Sequence, residues 1–274
     1  MKAYIRDVLG KAKQGNFAIP ATNFIDWNSA KAYVEMSEEL NLPLILAFAQ
    51  VHSPYLSLEE AASIGKYFQE KAKTPVVLHL DHGQDLAFIK RAIQLGFNSV
   101  MIDASLDAFE ENVRKTKEVV EVAHEFGVDV EAEIGFVGAN GNVLNDEIKS
   151  IYTNVEDAEK FVQETNVDSL AVSIGTSHGL YKGIPKINFQ RLSELRNVLN
   201  IPLVLHGGSG SGDDNLNRCA REGISKINIY SDFMDTGAKS VSEKSFTNYI
   251  DVLKASREGM KTTLKHYYRV FETK

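Results

Sequence analysis

The sequence has little cysteine, fewer basic than acidic residues, and no long hydrophobic run. Its single cysteine, Cys219, excludes an intramolecular disulfide and a zinc site built from cysteines alone. Lys and Arg number 30 against 37 Asp and Glu, and the formal net charge of −7 argues against nucleic acid as the main partner. No apolar segment approaches the roughly 20 residues of a membrane span, and the N-terminal stretch lacks the apolar core of a signal peptide. These absences predict a cytoplasmic protein with no membrane partner. A small anionic ligand stays compatible with the acidic composition.

Short apolar segments alternate with amphipathic ones along the chain. Each apolar segment is rich in Val, Ile and Leu and nearly continuous in hydrophobicity, which is typical of parallel strands buried on both faces. The segments between them repeat apolar residues at helical spacing, as in Phe189, Leu192 and Leu195. The eight predicted strands are Phe17–Ala21, Pro43–Phe48, Val76–Leu80, Ser99–Ile102, Val128–Glu133, Ser169–Ser173, Pro202–Leu205 and Lys226–Ile229.

Eight strand–helix units predict an α/β fold of the (β/α)8 (TIM) barrel type, whose usual size is about 250 residues. We expect residues 1–274 to form a single barrel domain, with the charged stretch Met234–Lys274 as a C-terminal helical extension. The alternative is an open, doubly wound sheet, which would place a glycine-rich dinucleotide-binding turn after its first strand. The first strand ends in Ala21-Thr22-Asn23-Phe24 instead, so the barrel is favoured.

Three histidines follow three different predicted strands: His82, His178 and His206. In a barrel the carboxyl ends of the strands meet at one face, so these imidazoles would converge there. Three imidazoles with an open fourth position are a catalytic zinc arrangement. The alternative is that each histidine caps a strand or binds a carbonyl. His79 lies two residues before Asp81 within a strand, and we interpret it as a buried supporting residue rather than a ligand.

Three carboxylates follow strands of the same face. Asp81 precedes a candidate ligand directly and could orient a histidine, bind metal or move protons. Asp103 and Glu133 come from the next two strands and would suit a second, harder cation that prefers oxygen ligands. The alternative for this pair is a salt bridge inside the mouth of the barrel.

Glycine-rich turns predict a phosphate site. The turn 207–210 (Gly-Gly-Ser-Gly) leads into a predicted helix, and free backbone N–H groups at a helix N-terminus hold anions. The turn ending at Ser231, after strand eight, is its neighbour, and barrels often bind phosphate between strands seven and eight. Lys182 is a nearby cation. The alternative is that these glycines only permit tight turns.

Five motifs follow one another at the strand ends. They are His79-Leu80-Asp81-His82-Gly83, Glu131-Ala132-Glu133-Ile134-Gly135, Gly175-Thr176-Ser177-His178-Gly179 with Tyr181-Lys182-Gly183, His206-Gly207-Gly208-Ser209-Gly210, and Lys226-Ile227-Asn228-Ile229. In this order they resemble the class II, metal-dependent ketose-phosphate aldolases, a family that includes the fructose-bisphosphate and tagatose-bisphosphate enzymes. The resemblance extends from about Asn23 to Ser231.

The resemblance implies reversible cleavage of a ketose phosphate to dihydroxyacetone phosphate and an aldehyde. The ketose would be a fructose- or tagatose-bisphosphate or a related ketose 1-phosphate. Zinc would stabilise the resulting enediolate as a Lewis acid. It also implies a homodimer or homotetramer. The implied metal ligands are His82, His178 and His206, with Asp103 and Glu133 at positions that hold a second or monovalent cation in some members. The implied acid/base is Asp81, and the implied substrate-positioning residues are Asn23 and Asn228. The implied dihydroxyacetone phosphate site consists of Gly179, Lys182, Gly207, Gly208, Ser209 and Ser231.

Two departures from the family pattern concern the substrate. Gly141 stands where an acidic residue that handles the C3 proton is expected, and Asp146 or Glu147 would have to replace it. The stretch after the second strand offers Gln50 and His52 where a small hydroxyl residue is common, which predicts an altered acceptor end. Two alternatives therefore stay open. One is an aldolase for a deoxy, acidic or sulfonated sugar phosphate, and the other is a weakly active subunit that binds a sugar phosphate.

Overall fold

The protein folds into a closed barrel of eight parallel strands surrounded by helices. The structure is a computed structural model that describes residues 1–135, 152–177 and 183–274. The strands pair in chain order, and β1 closes the barrel against β8. Their bounds are β1 Ile19–Asn23, β2 Leu44–Ala49, β3 Val76–Gly83, β4 Ser99–Ile102, β5 Asp129–Ile134, β6 Ser169–Val172, β7 Leu203–Leu205 and β8 Ile224–Ile229. The predicted TIM barrel is confirmed.

Ten α-helices lie in the described part of the chain. They are α1 Ile5–Gly15, α2 Trp27–Leu40, α3 Leu58–Lys71, α4 Leu86–Leu95, α5 Phe109–Glu125, α6 Val155–Thr165, α7 Phe189–Val198, α8 Asp213–Glu222, α9 Ser231–Ser242 and α10 Tyr249–Val270. Capping residues fix the N-termini of several of these helices. Asp26 and Ser57 form capping boxes with Ser29 and Glu60 at the starts of α2 and α3.

The core has two parts, because the strands are buried on both faces. The larger cluster packs the outer strand faces against the surrounding helices, with Phe48, Leu78 and Phe233 among its members. The smaller cluster joins α1 to inward-facing side chains such as Ile45 and Val77. Helix α1 therefore closes the N-terminal end of the barrel, and the opposite end is left for a site.

The C-terminal extension packs on the barrel's own helices. Helix α10 contacts α9 and α2. Tyr268 donates a hydrogen bond to the Pro43 carbonyl at 2.9 Å, and Thr273 donates one to Ala18 at 2.6 Å. These bonds fix the extension to the segments before β1 and β2. None of the helices in the described ranges combines the length and apolar character needed to span a bilayer.

Candidate active site

A cavity of about 670 Å³ opens at the carboxyl ends of the strands. Ten of the fourteen residues predicted for the site line it, contributed by six of the eight strand ends or the loops after them. They are Asn23, Asp81, His82, Asp103, Glu133, Gly207, Gly208, Ser209, Asn228 and Ser231. A further predicted residue, His206, is fully buried directly beneath the cavity wall. The barrel thus brings together side chains that are up to 208 positions apart, from 23 to 231, in the sequence.

Asp81, at the end of β3, is held by two amides from different strands. Asn23 donates from Nδ2 to Oδ2 at 2.8 Å, and Asn228 donates from Nδ2 to Oδ1 at 2.9 Å. Burial alone would raise the pKa of Asp81, but the neighbouring His82 and Lys226 hold this pKa well below its usual range. The carboxylate is therefore ionised, oriented and only 3% exposed at the cavity wall.

His82 is placed by an unusual backbone conformation. Its φ is 47°, in the left-handed region that non-glycine residues seldom adopt, and the register between β3 and β4 shifts between Leu80 and Gly83. Nδ1 lies 2.7 Å from Oδ2 of Asp103, which itself accepts hydrogen bonds from the backbone N–H and the hydroxyl of Ser105. Burial would lower the pKa of His82, but the charge of Asp81 and the hydrogen bond to Asp103 raise it. Asp103 thus holds the His82 ring through Nδ1.

His206 follows β7 and lies between two glutamates of β5. Its Nε2 is 3.0 Å from Oε1 of Glu131, and its Nδ1 is 3.1 Å from Oε2 of Glu133. Burial opposes the charged imidazole, yet these two carboxylates raise the pKa of His206 to about 10 in the metal-free site. The ring is therefore a cation between two anions.

A buried ion pair supports His206 from below. Lys226 of β8 donates from Nζ to both oxygens of Glu131 at 2.8 Å, and neither side chain has exposed surface. Nζ also lies 3.3 Å from Nε2 of His79, whose Nδ1 lies 2.7 Å from the Ser99 hydroxyl. Because an ammonium only donates, Nε2 of His79 accepts and Nδ1 carries the proton. Burial, with the charge of Lys226, lowers the pKa of His79 to about 3, so this ring is neutral.

The residues of the site fit a metal ion. Ligand atoms of Asp81, His82 and His206 lie within 4.8 Å of one another, and so do those of His82, Asp103 and Glu133. Imidazole and carboxylate form the donor set that zinc takes in catalytic sites. A third group of His79, Asp81 and Glu131 meets the same distance limit, but the Lys226 ammonium already contacts His79 and Glu131. His79 is buried as predicted, and it supports the site from inside the barrel.

The glycine-rich loop after β7 and the turn at Tyr230 after β8 form the wall next to α9. Gly207 has a φ of 67°, and a Cβ there would lie 2.3 Å from the Ser177 carbonyl oxygen. A Cβ on Gly208 would meet Ile227 and Ile229 at 2.7 Å, because this backbone passes close to β8. The Ser209 hydroxyl accepts a hydrogen bond from the Tyr230 N–H at 3.1 Å, which joins the two loops. Ser231 begins α9, so the positive end of a helix faces the same wall.

Several predicted residues lie outside the described residues. They are His178, Gly179 and Lys182 of the loop after β6, and Gly141, Asp146 and Glu147 of the loop after β5. Their contributions to the metal and phosphate sites stay predictions.

Glu131 and Lys226 are not among the site residues predicted from the sequence. A signal existed, because each is a charged residue inside a strand that is otherwise apolar. Opposite charges on buried strands must pair. The two residues predicted to alter the acceptor end, Gln50 and His52, have different surroundings in the structure. His52 lines the cavity. Gln50 instead bonds Asp85 at 3.1 Å and the Gln84 N–H at 2.8 Å, so it fastens the loop after β3.

Comparisons with known proteins show the family of this chain. The model of the family "Fructose-bisphosphate aldolase class-II" matches residues 3–274. A fructose-bisphosphate aldolase of Helicobacter pylori strain J99 is 42% identical over 212 residues, which cover 76% of this chain and 69% of that protein. The crystal structure of the YdjI aldolase from Escherichia coli K12 is similar at a TM-score of 0.91 and 32% identity, covering 100% of this chain and 98% of that one. A fructose-bisphosphate aldolase from Campylobacter jejuni, at 24% identity, shares the fold at a TM-score of 0.84 over 99% of this chain and 95% of its own. The chain belongs to the class-II fructose-bisphosphate aldolase family and is an aldolase, a lyase of carbon–carbon bonds.

Proposed function

We propose that the protein is a zinc-dependent aldolase that reversibly cleaves a ketose phosphate into dihydroxyacetone phosphate and an aldehyde. The observation that carries this proposal is the convergence of Asp81, His82 and His206 within 4.8 Å beside the glycine loops of one cavity. A carboxylate held ready for proton transfer, a metal-ligand set and an anion-binding wall are the three parts that this reaction needs.

The metal would be held by His82 and His206, with His178 as the third imidazole. Asp103 contacts Nδ1 of His82, so Nε2 of that ring would coordinate the metal. On His206, Nε2 would keep its contact with Glu131, and Nδ1 would exchange its 3.1 Å contact with Glu133 for the ion. A bound zinc ion supplies Lewis-acid stabilisation of the negative charge that develops when the carbon–carbon bond breaks. Asp103 and Glu133 orient the rings, and we propose that they also provide the oxygen ligands of any second or monovalent cation.

Asp81 would act as the acid/base on the C4 oxygen. In the cleavage direction its carboxylate accepts the C4 hydroxyl proton, the C3–C4 bond breaks, and C4 becomes the aldehyde carbon. The electron pair of the broken bond stays with the dihydroxyacetone phosphate half. Asn23 and Asn228 hold both carboxylate oxygens in place. Oδ1 of Asn228 has no hydrogen-bond partner among the described residues and is buried, so it is available to accept from a substrate hydroxyl.

The phosphate would bind where the loops after β7 and β8 meet. Gly207 and Gly208 bring the backbone to the cavity surface, and Ser209 and Ser231 line the same wall. The start of α9 adds its dipole, which favours an anion. Gly179 and Lys182 would complete the site, with Lys182 as the cation.

The experiment is a cleavage assay with a panel of ketose phosphates in which dihydroxyacetone phosphate is measured enzymatically. We expect turnover that is abolished by a chelator and restored by zinc. Asp81→Asn should lower kcat by about a hundredfold or more. Asp214→Asn, an exposed change in α8, is the matched control and should leave kcat unchanged. Cleavage that persists in chelated enzyme, or near-normal turnover of Asp81→Asn, would contradict the proposal.

We further propose that the barrel works as a homodimer or homotetramer in the cytoplasm. Tyr249 and Ile250, at the start of α10, are 71% and 64% exposed and give an apolar surface for contact with a second copy. Analytical ultracentrifugation should give twice or four times the monomer mass of 30.4 kDa. A monomer at all concentrations would contradict this proposal.

A further inference from the structure

His52 occupies a position in the cavity that the proposed mechanism does not use. It ends the short 3-10 turn Gln50–His52 directly after β2. Strand β2 lies between β1, which carries Asn23, and β3, which carries Asp81, and Ala49 is the register partner of Asp81. Because Ala49, three residues before His52, pairs with Asp81, which faces the C4 oxygen in the proposed reaction, we assign His52 to C4 and the carbons beyond it.

The His52 side chain is built into the wall. It is only 8% exposed, and its ring packs against Tyr230 with centroids 4.5 Å apart. Its Nδ1 is buried and has no hydrogen-bond partner among the described residues. An imidazole nitrogen buried without a partner is costly, so one that lines a ligand cavity is expected to bind the ligand. Burial lowers the pKa of His52, which makes the neutral ring the resting form.

The charges of the residues that line the cavity limit which groups the substrate can carry beyond C4. Among the described residues that line the cavity there is no Lys or Arg, and the acidic ones are Asp81, Asp103 and Glu133. Phosphate groups are bound by Arg, Lys or clustered backbone N–H groups. The glycine-rich loop after β7 and the start of α9 lie at the proposed C1-phosphate wall. A second phosphate at the other end would meet no Lys or Arg among the described lining residues.

We propose that the substrate is a ketose with one phosphate, at C1, and an unphosphorylated, hydroxyl-bearing chain beyond C4, and that His52 determines this specificity by a hydrogen bond from Nδ1 to a hydroxyl there. Tyr230 packs against the imidazole at an interplanar angle of 36° and limits its movement. This inference rests on the proposed function, because it takes the C4 assignment from Asp81.

The first test compares substrates on the unchanged protein. The probes are fructose 1-phosphate, tagatose 1-phosphate and the corresponding 1,6-bisphosphates. We expect kcat/KM to be at least about tenfold higher for a 1-phosphate than for its bisphosphate, the equivalent of one phosphate left without a partner. A preference for either bisphosphate would overturn the inference.

The second test separates acceptor recognition from the metal and proton chemistry. Exchange of the C3 hydrogen of dihydroxyacetone phosphate with solvent uses only the phosphate half, whereas cleavage uses both halves. In His52→Leu the ratio of cleavage kcat/KM to exchange rate should fall about tenfold, mainly through KM. His52→Asn, which keeps a polar atom near the position of Nδ1, should recover most of that ratio. His266→Ala, an imidazole outside the cavity, is the matched control.

The outcomes distinguish the two proposals. Absence of hydrogen exchange in the unchanged protein would contradict the proposed function itself. Normal exchange with an unaltered ratio in His52→Leu would overturn only the role of His52. Should His52→Leu fail to fold, the His52→Asn ratio and the substrate comparison still decide.

Discussion

Lys226→Met removes the ammonium group that neutralises Glu131 inside the barrel. Nζ lies 2.8 Å from both carboxylate oxygens, and both side chains are fully buried. Removing one partner of such a pair leaves an uncompensated buried charge, which costs about 3–5 kcal/mol. The hydrogen bond at 3.0 Å between Glu131 and His206 Nε2 stays in place and offsets part of this cost. We therefore expect a loss near the lower end, about 3 kcal/mol, in the free energy of unfolding.

The assay is urea unfolding of metal-free protein followed by circular dichroism, so that zinc binding does not contribute to stability. Lys117→Met on the exposed face of α5 is the matched control and should change the free energy of unfolding by less than about 0.5 kcal/mol. The double variant Lys226→Met/Glu131→Gln should regain most of the loss, because no buried charge is left unpaired.

The reasoning would be refuted if Lys226→Met lost less than about 1 kcal/mol, or if the double-mutant cycle gave a coupling energy below about 0.5 kcal/mol. The same variant should weaken zinc binding, because Glu131 would no longer be held in the position that orients His206.

Three further predictions concern single residues. Gly207→Ala places a Cβ 2.3 Å from the Ser177 carbonyl oxygen at a φ of 67°. We expect it to lower the free energy of unfolding by at least about 1 kcal/mol and to raise KM for the ketose phosphate. Gly10→Ala, with open space at its Cβ, is the control and should not destabilise the protein. Cys219 is buried, and burial raises the pKa of its thiol to about 12. A thiol reagent at pH 8 should therefore react with Cys219 only after the protein unfolds. Rapid reaction with the folded protein would contradict the burial of this side chain. Burial would raise the pKa of Glu131, but Lys226 and His206 lower it from 4.5 to about 2. The ionised carboxylate therefore stabilises the folded protein above pH 4.5, and this stabilisation should be lost as the pH falls towards 2. Urea unfolding of Glu131→Gln at several pH values should show that this part of the pH dependence is gone.

Much of the fold was predictable because the strands are buried on both faces. Such strands carry continuous apolar runs, and seven of the eight observed strands begin and end within two positions of the prediction. The end of β3, three positions later than predicted, is the largest difference. Strand β3 continues through Asp81, His82 and Gly83 rather than ending at Leu80, since the chain keeps pairing with β4 after its register shift. Polar residues inside a strand conceal its end from a hydrophobicity pattern.

The site was predictable in its outline and not in its contacts. Strand-end positions brought Asp81, His82 and His206 to one face, because a closed barrel places all carboxyl ends on one rim. The partners of these residues depend on side-chain direction, which spacing does not give. Glu131 and Lys226 face inward and pair 95 positions apart, and the short turn after β2 carries His52 back over the mouth.

Zinc binding to defined histidine variants tests the central claim most directly. Metal-free protein should bind one catalytic zinc per chain in a competition titration with a chromophoric chelator. His82→Ala and His206→Ala should each weaken that binding by at least about tenfold to a hundredfold, while His266→Ala should bind as tightly as the unchanged protein. Zinc affinity that is the same in all four proteins would contradict the account, because the metal would then not be held where Asp81 and the phosphate loops converge.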